Sequence, residues 1–279
     1  SLRLLEQAFA DRSISSVRVA GGGGTGGAPA TPTFKDREHS YRVDFTAMKQ
    51  INATTGAARS IRRRAELPPK CFAVPDSWSL QPPGQHCALV RVDEGTAEFD
   101  TVFARMTASL PSARIVKLER IQNVMLFDYY SMRRDRMVKL AGGGEPKEVC
   151  VWHGTGNPLR SGDGIHPRVI YEDRQDGFMM QHSSEGMWGR GIYFARDARY
   201  SDSYAFALEN GTKCLLLARL LAGDEVHVMP NDRSLRFCPD KPDGTGRYDT
   251  VTGDTCRSKV YIVYENGRAM PEYLITYTG

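Results

Sequence analysis

The chain has 279 residues, 41% of them hydrophobic and 25% charged, and a net charge of +4. That is an ordinary globular composition for one large or two smaller domains, and the mild charge argues neither for nor against nucleic acid. No run approaches the roughly 18 apolar residues of a membrane-spanning helix, and the N-terminus lacks a signal-peptide pattern, so no membrane partner is expected.

Leu2, Leu5, Ala8 and Phe9 stand at helical spacing, and Val17-Arg-Val19 follows as a strand. Residues 21–33, GGGGTGGAPATPT, read as a flexible loop. Ser40–Phe45 alternates like a strand that Thr46–Gln50 continues, Asn52–Gly56 is a turn, and Ala57–Arg64 is basic with a strand-like centre. For Arg62-Arg63-Arg64, a solvated strand edge and a ligand contact are equally good readings. Residues 66–85 hold Pro68, Pro69, Pro75, Pro82 and Pro83 and read as a stiffened linker. Cys87–Val92 is a strand. Thr96 caps a helix whose apolar face is Phe99, Val102, Phe103 and Met106. Arg114–Leu118 is a strand, and Glu119–Asn123 leads a helix carrying Leu126, Phe127, Tyr130 and Met137. Gly142–Gly144 is a turn. Thr155–Trp188 is polar and Gly-rich, with Asp176-Gly-Phe178 inside it. Cys214–Leu220 and Val226–Val228 are strands, and Asn231–Thr255 reads as a long loop.

The six cysteines (Cys71, Cys87, Cys150, Cys214, Cys238, Cys256) are widely spaced, with no CxxC and no Cys/His metal pattern. They read as free thiols of a reducing compartment, with no metal site. Cytosol and nucleus are equal expectations. Ser1 in place of Met reads as the start of a fragment. Basic residues are not interleaved with aromatics, so no nucleic-acid platform is evident.

Trp188–Tyr204 reads WGRGIYFARDARYSDSY. Gly189 and Gly191 bracket Arg190 and lead into Ile192-Tyr193-Phe194-Ala195, a short, Gly-bounded strand. Asp197 then caps a helix to about Leu208, which places Ser201 and Tyr204 on one face. Taken alone, this is as readily a Tyr-rich packed corner as a site. Upstream, Val149-Cys-Val-Trp152 forms a strand ending in His153-Gly154-Thr155.

His-Gly-Thr, then Gly-Arg-Gly-Ile-Tyr-Phe-Ala, then Tyr-Ser-x-x-Tyr, resembles the catalytic domain of the diphtheria-toxin-like ADP-ribosyltransferases, the poly- and mono-(ADP-ribose) polymerase family. Tyr261-Ile-Val-Tyr264 and Pro271–Tyr277 resemble that family's closing strands. The resemblance covers roughly residues 70–279. It implies an α+β fold: an ADP-ribosyltransferase catalytic domain (86–279) of two packed antiparallel sheets with flanking helices. It also implies NAD as co-substrate and no metal. His153 would hydrogen-bond the adenosine ribose, with Thr155 beside it. Gly154 would pair through its backbone with the carboxamide, and Ser201 would donate to the same amide. Tyr204 would stack on the pyridinium ring and Tyr193 would wall its other side. In the family, the Thr155–Trp188 region carries a helix and the loop over the donor site, and Ile121-Gln-Asn123 is structural.

Polymerising members place Glu before the Tyr-x-Val-Tyr strand; here the third position is Val260. Valine cannot activate a ribose hydroxyl, a poor nucleophile, whereas a carboxylate or thiolate acceptor brings its own. His153-Tyr193-Val260 therefore implies transfer of at most one unit to acceptor proteins, including the chain itself. Asp254 and Glu265 read as surface residues. The stretch between residue 65 and His153 is expected to hold only the family's own first strands and helices, with no room for a regulatory helical bundle, which also resembles the mono-ADP-ribosylating branch.

Tyr-x-Val-Asp-Phe, Met-x-Gln, Thr-Gly and Arg-x-Ile-Arg-Arg resemble the second half of a WWE domain, with Leu4–Phe9 as its helix and its Trp-bearing strand expected before residue 1. That makes 1–65 a partial WWE-like α+β domain and poly(ADP-ribose) a partner. The family's ligand contacts fall on Tyr41, Gln50 and Arg59: an aromatic for adenine, an amide for base or ribose edges, and a guanidinium for phosphate. A catalytically inactive ADP-ribose-binding reader or scaffold is the alternative to the enzyme. A WWE-bearing ubiquitin ligase is disfavoured, because no RING cysteine spacing exists here.

Overall fold

The chain divides at Pro69/Lys70 into two units. Residues 33–36, 39–44, 47, 49–60, 72–82, 84–156 and 164–279 are described, from a computed structural model. The expected helix at Leu4–Phe9, the strand at Val17–Val19, the basic run 61–64 and all of the loop expected at 21–33 except Thr33, which begins the first strand, lie outside the described residues.

In the first unit, β1 (Thr33–Asp36), β2 (His39–Asp44), β3 (Lys49–Asn52) and β4 (Ala58–Ser60) form an antiparallel sheet in that order. Where the sequence suggested one continuing strand, Ala47 is a turn residue before β3, its amide held by the Asp44 carboxylate at 2.8 Å. Asn52 Oδ1 accepts the Thr54 and Thr55 amides at 2.9 Å, making the next turn. Val43 pairs with Gln50 and Gln50 with Arg59. Because a strand alternates faces, positions 41, 50 and 59 fall on one face of this ladder. Gln50 is buried; the side chains of Tyr41 and Arg59 lie outside the described residues.

The second unit opens on a segment that is docked, where the sequence suggested a linker. The Ser79 amide donates to Gln122 Oε1 at 2.8 Å, Gln81 donates to the Gln122 carbonyl at 2.9 Å, and Trp78 packs on Phe127. Then come β5 (Cys87–Arg91), α1 (Ala97–Thr107), β6 (Arg114–Asn123), α2 (Val124–Leu140) and β7 (Glu148–His153). Thr96 caps α1 through the Phe99 amide, and Phe99, Val102 and Met106 are buried; Phe103 is exposed. β6 runs five residues past the expected end because Cys87–Arg91 pairs with Glu119–Asn123. Asn123, fully buried, then stops the strand and starts α2: its Oδ1 accepts the Met125 and Leu126 amides, and its Nδ2 donates to the Tyr171 and Asp173 carbonyls.

The chain continues through α3 (Arg168–Tyr171), a 3-10 turn at Met180–His182, the β8 (Glu185–Gly186)/β9 (Gly189–Arg190) hairpin and β10 (Ile192–Ala195). Next are α4 (Ala198–Asp202), β11 (Phe206–Ala207), β12 (Lys213–Leu221), β13 (Glu225–His227), β14 (Thr250–Thr255), β15 (Ser258–Val263) and β16 (Ala269–Thr278). Two expectations change here. α4 ends at Asp202, not Leu208, because Phe206–Ala207 is taken up in pairing with β12. The end of the expected long loop, Thr250–Thr255, is a strand paired with β15. No helix among the described residues is long and apolar enough to cross a membrane.

The strands follow the order β13-β14-β15-β10-β7-β12-β16-β6-β5, with β11 beside β12. Every pair is antiparallel except β13–β14. β12 is apolar on both sides, as a strand covered on both faces must be: Leu216, Ala218 and Leu220 join one core with Val151, Phe178 and Phe194, while Leu215 and Leu217 join α1 and Trp152 in another. The path narrows at one place. β7 pairs with β12 over six residues, Glu148–His153, but with β10 only through Trp152↔Ala195. The ladder is therefore almost two sheets, joined at a single backbone pair, and they open beyond it.

Candidate active site

The cleft opens where β7 leaves β10. His153, the last residue of β7, fills the place of the next ladder bond with its ring: Nδ1 donates to the Tyr193 carbonyl of β10 at 2.8 Å. A carbonyl only accepts, so the proton is on Nδ1 and Nε2 is left as an acceptor. Burial pushes the His153 pKa down from 6.5 to about 4, so the ring is neutral at physiological pH. Phe178 packs edge-on to that ring at 5.0 Å, and Phe194 lies 5.3 Å from it, so its orientation is set on two sides.

Gly154 follows because nothing larger fits. A Cβ there would stand 2.4 Å from the Tyr204 carbonyl oxygen and 2.8 Å from that of Ser201. The strand end thus lies directly against the last turn of α4, and the Gly156 amide donates to the Tyr204 carbonyl at 2.9 Å. α4 is anchored at both ends. The Ala198 amide, otherwise an unpaired helix N-terminal donor, donates to Ser109 Oγ. Asp202 accepts from Tyr277 and Lys213. Asp197 precedes the helix without a side-chain cap bond and instead pairs with Arg196. Ser201 is buried, whereas Tyr204 lies past the helix end and half exposed. One turn bond, Tyr204 N–H to the Ser201 carbonyl at 2.9 Å, keeps the two adjacent.

Tyr193 is wired into the hairpin before it. Its hydroxyl donates to the Gly189 carbonyl at 2.7 Å and accepts the Trp188 amide at 2.9 Å, and burial pushes its pKa up to about 12. Gly186 is required beside it, since a Cβ there would be 2.5 Å from the Tyr193 ring. His153, Gly154, Thr155, Tyr193, Ser201 and Tyr204 all line one cavity of about 600 Å³. Thr155 Oγ1 is buried in that wall with no partner among the described residues. A buried hydroxyl without a partner is costly, so a bound molecule that satisfies it gains accordingly. The cavity wall also includes Phe178, Met179, Trp188 and Tyr200, which the sequence motifs did not mark as site residues.

Val260 is placed differently. It pairs with Ala195 across the β10–β15 ladder and with Gly253 across β14–β15, is fully buried, and does not line the cavity. It belongs to an apolar layer with Trp188, Ala195, Val251 and Ile262, against which Tyr193 and Tyr200 pack. Gly253 makes room for Trp188, whose ring would lie 2.0 Å from a Cβ there. The two acids nearest in sequence are exposed and occupied elsewhere: Asp254 with His227, and Glu265 with Arg268 and Arg133.

Comparison with known proteins gives this arrangement a context. The family model described as the poly(ADP-ribose) polymerase catalytic domain matches residues 96–279, and the WWE domain model matches residues 3–63. Protein mono-ADP-ribosyltransferase PARP11 of Mus musculus is 28% identical over 275 residues, covering 88% of this chain and 79% of that protein. Protein mono-ADP-ribosyltransferase PARP12 of Homo sapiens is 28% identical over 276 residues, covering 91% of this chain and 37% of that protein. Protein mono-ADP-ribosyltransferase PARP14 of Homo sapiens is 30% identical, covering 88% of this chain and 13% of that protein. With its catalytic-domain match spanning Thr96 to the last residue, the chain belongs to the poly(ADP-ribose) polymerase family.

Proposed function

We propose that this chain transfers a single ADP-ribose unit from NAD to protein side chains and releases nicotinamide. The observation that carries the reading is the convergence of His153, Gly154, Thr155, Tyr193, Ser201 and Tyr204 on one cavity of about 600 Å³, from the end of β7, from β10, and from α4 and the turn after it.

NAD supplies a glycosidic bond to a cationic leaving group, and positive charge develops on its ribose as that bond breaks. The protein contributes position. His153 Nε2 accepts a ribose hydroxyl on the adenosine side, which the neutral tautomer allows. The Thr155 hydroxyl, which has no partner among the described residues, is in the same cavity wall to donate or accept. Gly154 offers backbone groups that no side chain covers, and Ser201 offers a hydroxyl to the same carboxamide. Tyr204, half exposed, is free to lie on the pyridinium ring, a contact of about 0.5–2 kcal/mol. Tyr193 closes the opposite wall with its hydroxyl already committed. Such positioning lowers the barrier by removing freedom before the reaction begins.

Glu185 is the one carboxylate among the described residues that line the cavity, and it is held by Arg236 at 2.6 Å. With the apolar Val260 buried in the layer that holds Trp188, no carboxylate among the described residues is placed to activate a ribose hydroxyl from that position. This favours acceptors that bring their own nucleophile and argues against chain extension. In the first unit, positions 41, 50 and 59 share one sheet face, which supports recognition of ADP-ribose units of poly(ADP-ribose) by Tyr41, Gln50 and Arg59.

The test is incubation of the purified chain with labelled NAD, resolved on a denaturing gel. A discrete labelled band is expected. A high-mass smear would overturn the single-unit reading. Intact binding of a non-hydrolysable NAD analogue with no label in any acceptor would turn the chain into a silent binding module.

A further inference from the structure

The segment between α3 and β8 forms one wall of the cavity, yet it contains only one turn of 3-10 helix. Two things hold it. Asp173 Oδ2 accepts the Gln175, Asp176 and Gly177 amides at 3.1, 2.8 and 2.9 Å, which closes the loop on itself. The second is a single side chain from the far end of the chain, Asn266, in the turn between β15 and β16. Its Oδ1 accepts the Met180 amide at 2.7 Å, and its Nδ2 donates to Asp176 Oδ2 at 2.8 Å. The two bonds bracket Phe178, whose ring packs on His153. The other Asp176 oxygen is buried without a partner among the described residues, so that carboxylate leans on Asn266. Asn266 is itself fixed from α2, since Arg133 donates to its carbonyl at 3.0 Å.

We infer that Asn266 is a positioning residue for NAD: it sets where Phe178 stands and, through it, the orientation of the His153 ring that receives the adenosine ribose. This inference rests on the cavity being the NAD site. A fork of one acceptor and one donor at this spacing is what a carboxamide supplies. Aspartate is its isostere but has no donor, and in the Asn266→Asp variant it would set a second carboxylate against Asp176. The roles can nevertheless be exchanged. When Asn266→Asp is combined with Asp176→Asn, the carboxylate at position 266 accepts both the Met180 amide and the side-chain amide now at position 176. Both bonds are restored, and the one between the two side chains runs in the opposite direction.

The experiment uses the whole chain in four forms: wild type, Asn266→Asp, Asp176→Asn and the double exchange. Three quantities are measured: KM for NAD, kcat, and protection of the Met180 amide by hydrogen exchange without NAD. Asn266→Asp is expected to raise KM about tenfold with kcat changed less than twofold, and to expose the Met180 amide. The double exchange is expected to return both KM and protection to near the wild-type values. The inference is overturned if Asn266→Asp leaves KM unchanged, if it lowers kcat at constant KM, or if the exchange fails to restore what the single change lost. A wild-type chain that neither binds nor consumes NAD would sink the site reading instead. The Met180 amide would still report separately whether Asn266 holds the segment.

Discussion

β7 and β15 flank β10 on opposite sides and meet it in opposite ways. β15 pairs with β10 over four residues, from Ile192↔Val263 to Ala195↔Val260, and the layer behind that ladder is apolar and buried. β7 pairs with it once, and the bond that would come next is made by the His153 ring. The closed side is stable and chemically silent; the open side has polar atoms with unused capacity. A sheet builds a site where its ladder is left unfinished, because there the backbone and side chains turn to a cavity rather than to each other.

The sharpest way to break the comparison is to fill the open side. Gly154→Trp places atoms where the Tyr204 carbonyl already stands. Single-unit transfer should fall more than about 100-fold. A melting curve run in parallel checks that the loss exceeds any unfolding, and transfer that survives would mean the cavity is not the donor site.

The second test opens the closed side. Val260→Glu buries a carboxylate among Trp188, Val251 and Ile262. The expected cost is about 3 kcal/mol or more of stability in denaturant titration. Its product should remain a single unit as long as the Glu stays packed in the apolar layer of Trp188, Val251 and Ile262 that holds Val260. Polymer from this variant would show that the apolar layer is looser than its burial implies.

A smaller effect separates the sides by pH. With the folded His153 pKa at about 4 against an ordinary 6.5, the unfolded chain takes up a proton that the folded chain refuses. Stability should therefore fall as pH drops from about 6.5 to 4 and level off below. Transfer should be flat above that window. His153→Gln should flatten this part of the stability profile and weaken NAD binding about tenfold, read by calorimetry. A slope unchanged by the substitution would put the titrating group elsewhere.

The smallest expected effect is at Thr155. Its Oγ1 has no partner among the described residues, so Thr155→Val should leave the melting temperature unchanged or slightly raised. KM for NAD should rise only about threefold. A clear loss of stability instead would mean that the hydroxyl already serves the fold.

Local signals were strong wherever the chemistry was local. His153-Gly154-Thr155 and Gly189–Ala195 could be placed at strand ends from their glycines and apolar runs, and α1 from Thr96 and the spacing of Phe99, Val102 and Met106. What the sequence misjudged was decided by pairing. The strand-helix border at Asn123 depends on carbonyls of Tyr171 and Asp173, far along the chain. The end of α4 depends on β12 claiming Phe206–Ala207. Thr250–Thr255 is a strand because β15 lies beside it, and Gly253, which reads locally as a strand breaker, is there to admit the Trp188 ring.

By itself, then, the sequence determined which residue types were present and the order in which they came: a histidine at a strand end, glycines where backbone must approach backbone, two tyrosines and a serine, and a valine at the position before the Tyr261–Tyr264 strand. Only the tertiary structure decided that His153 carries its proton on Nδ1, that Thr155 Oγ1 has no partner among the described residues, and that Val260 is buried in an apolar layer and is not one of the residues lining the cavity. It also decided that Asn266, which belongs to none of the motifs, holds the wall that faces His153. The reason is physical. Protonation, satisfaction and burial are properties of what surrounds a group, and in this chain those surroundings come from strands that are distant in sequence and adjacent only in the sheet.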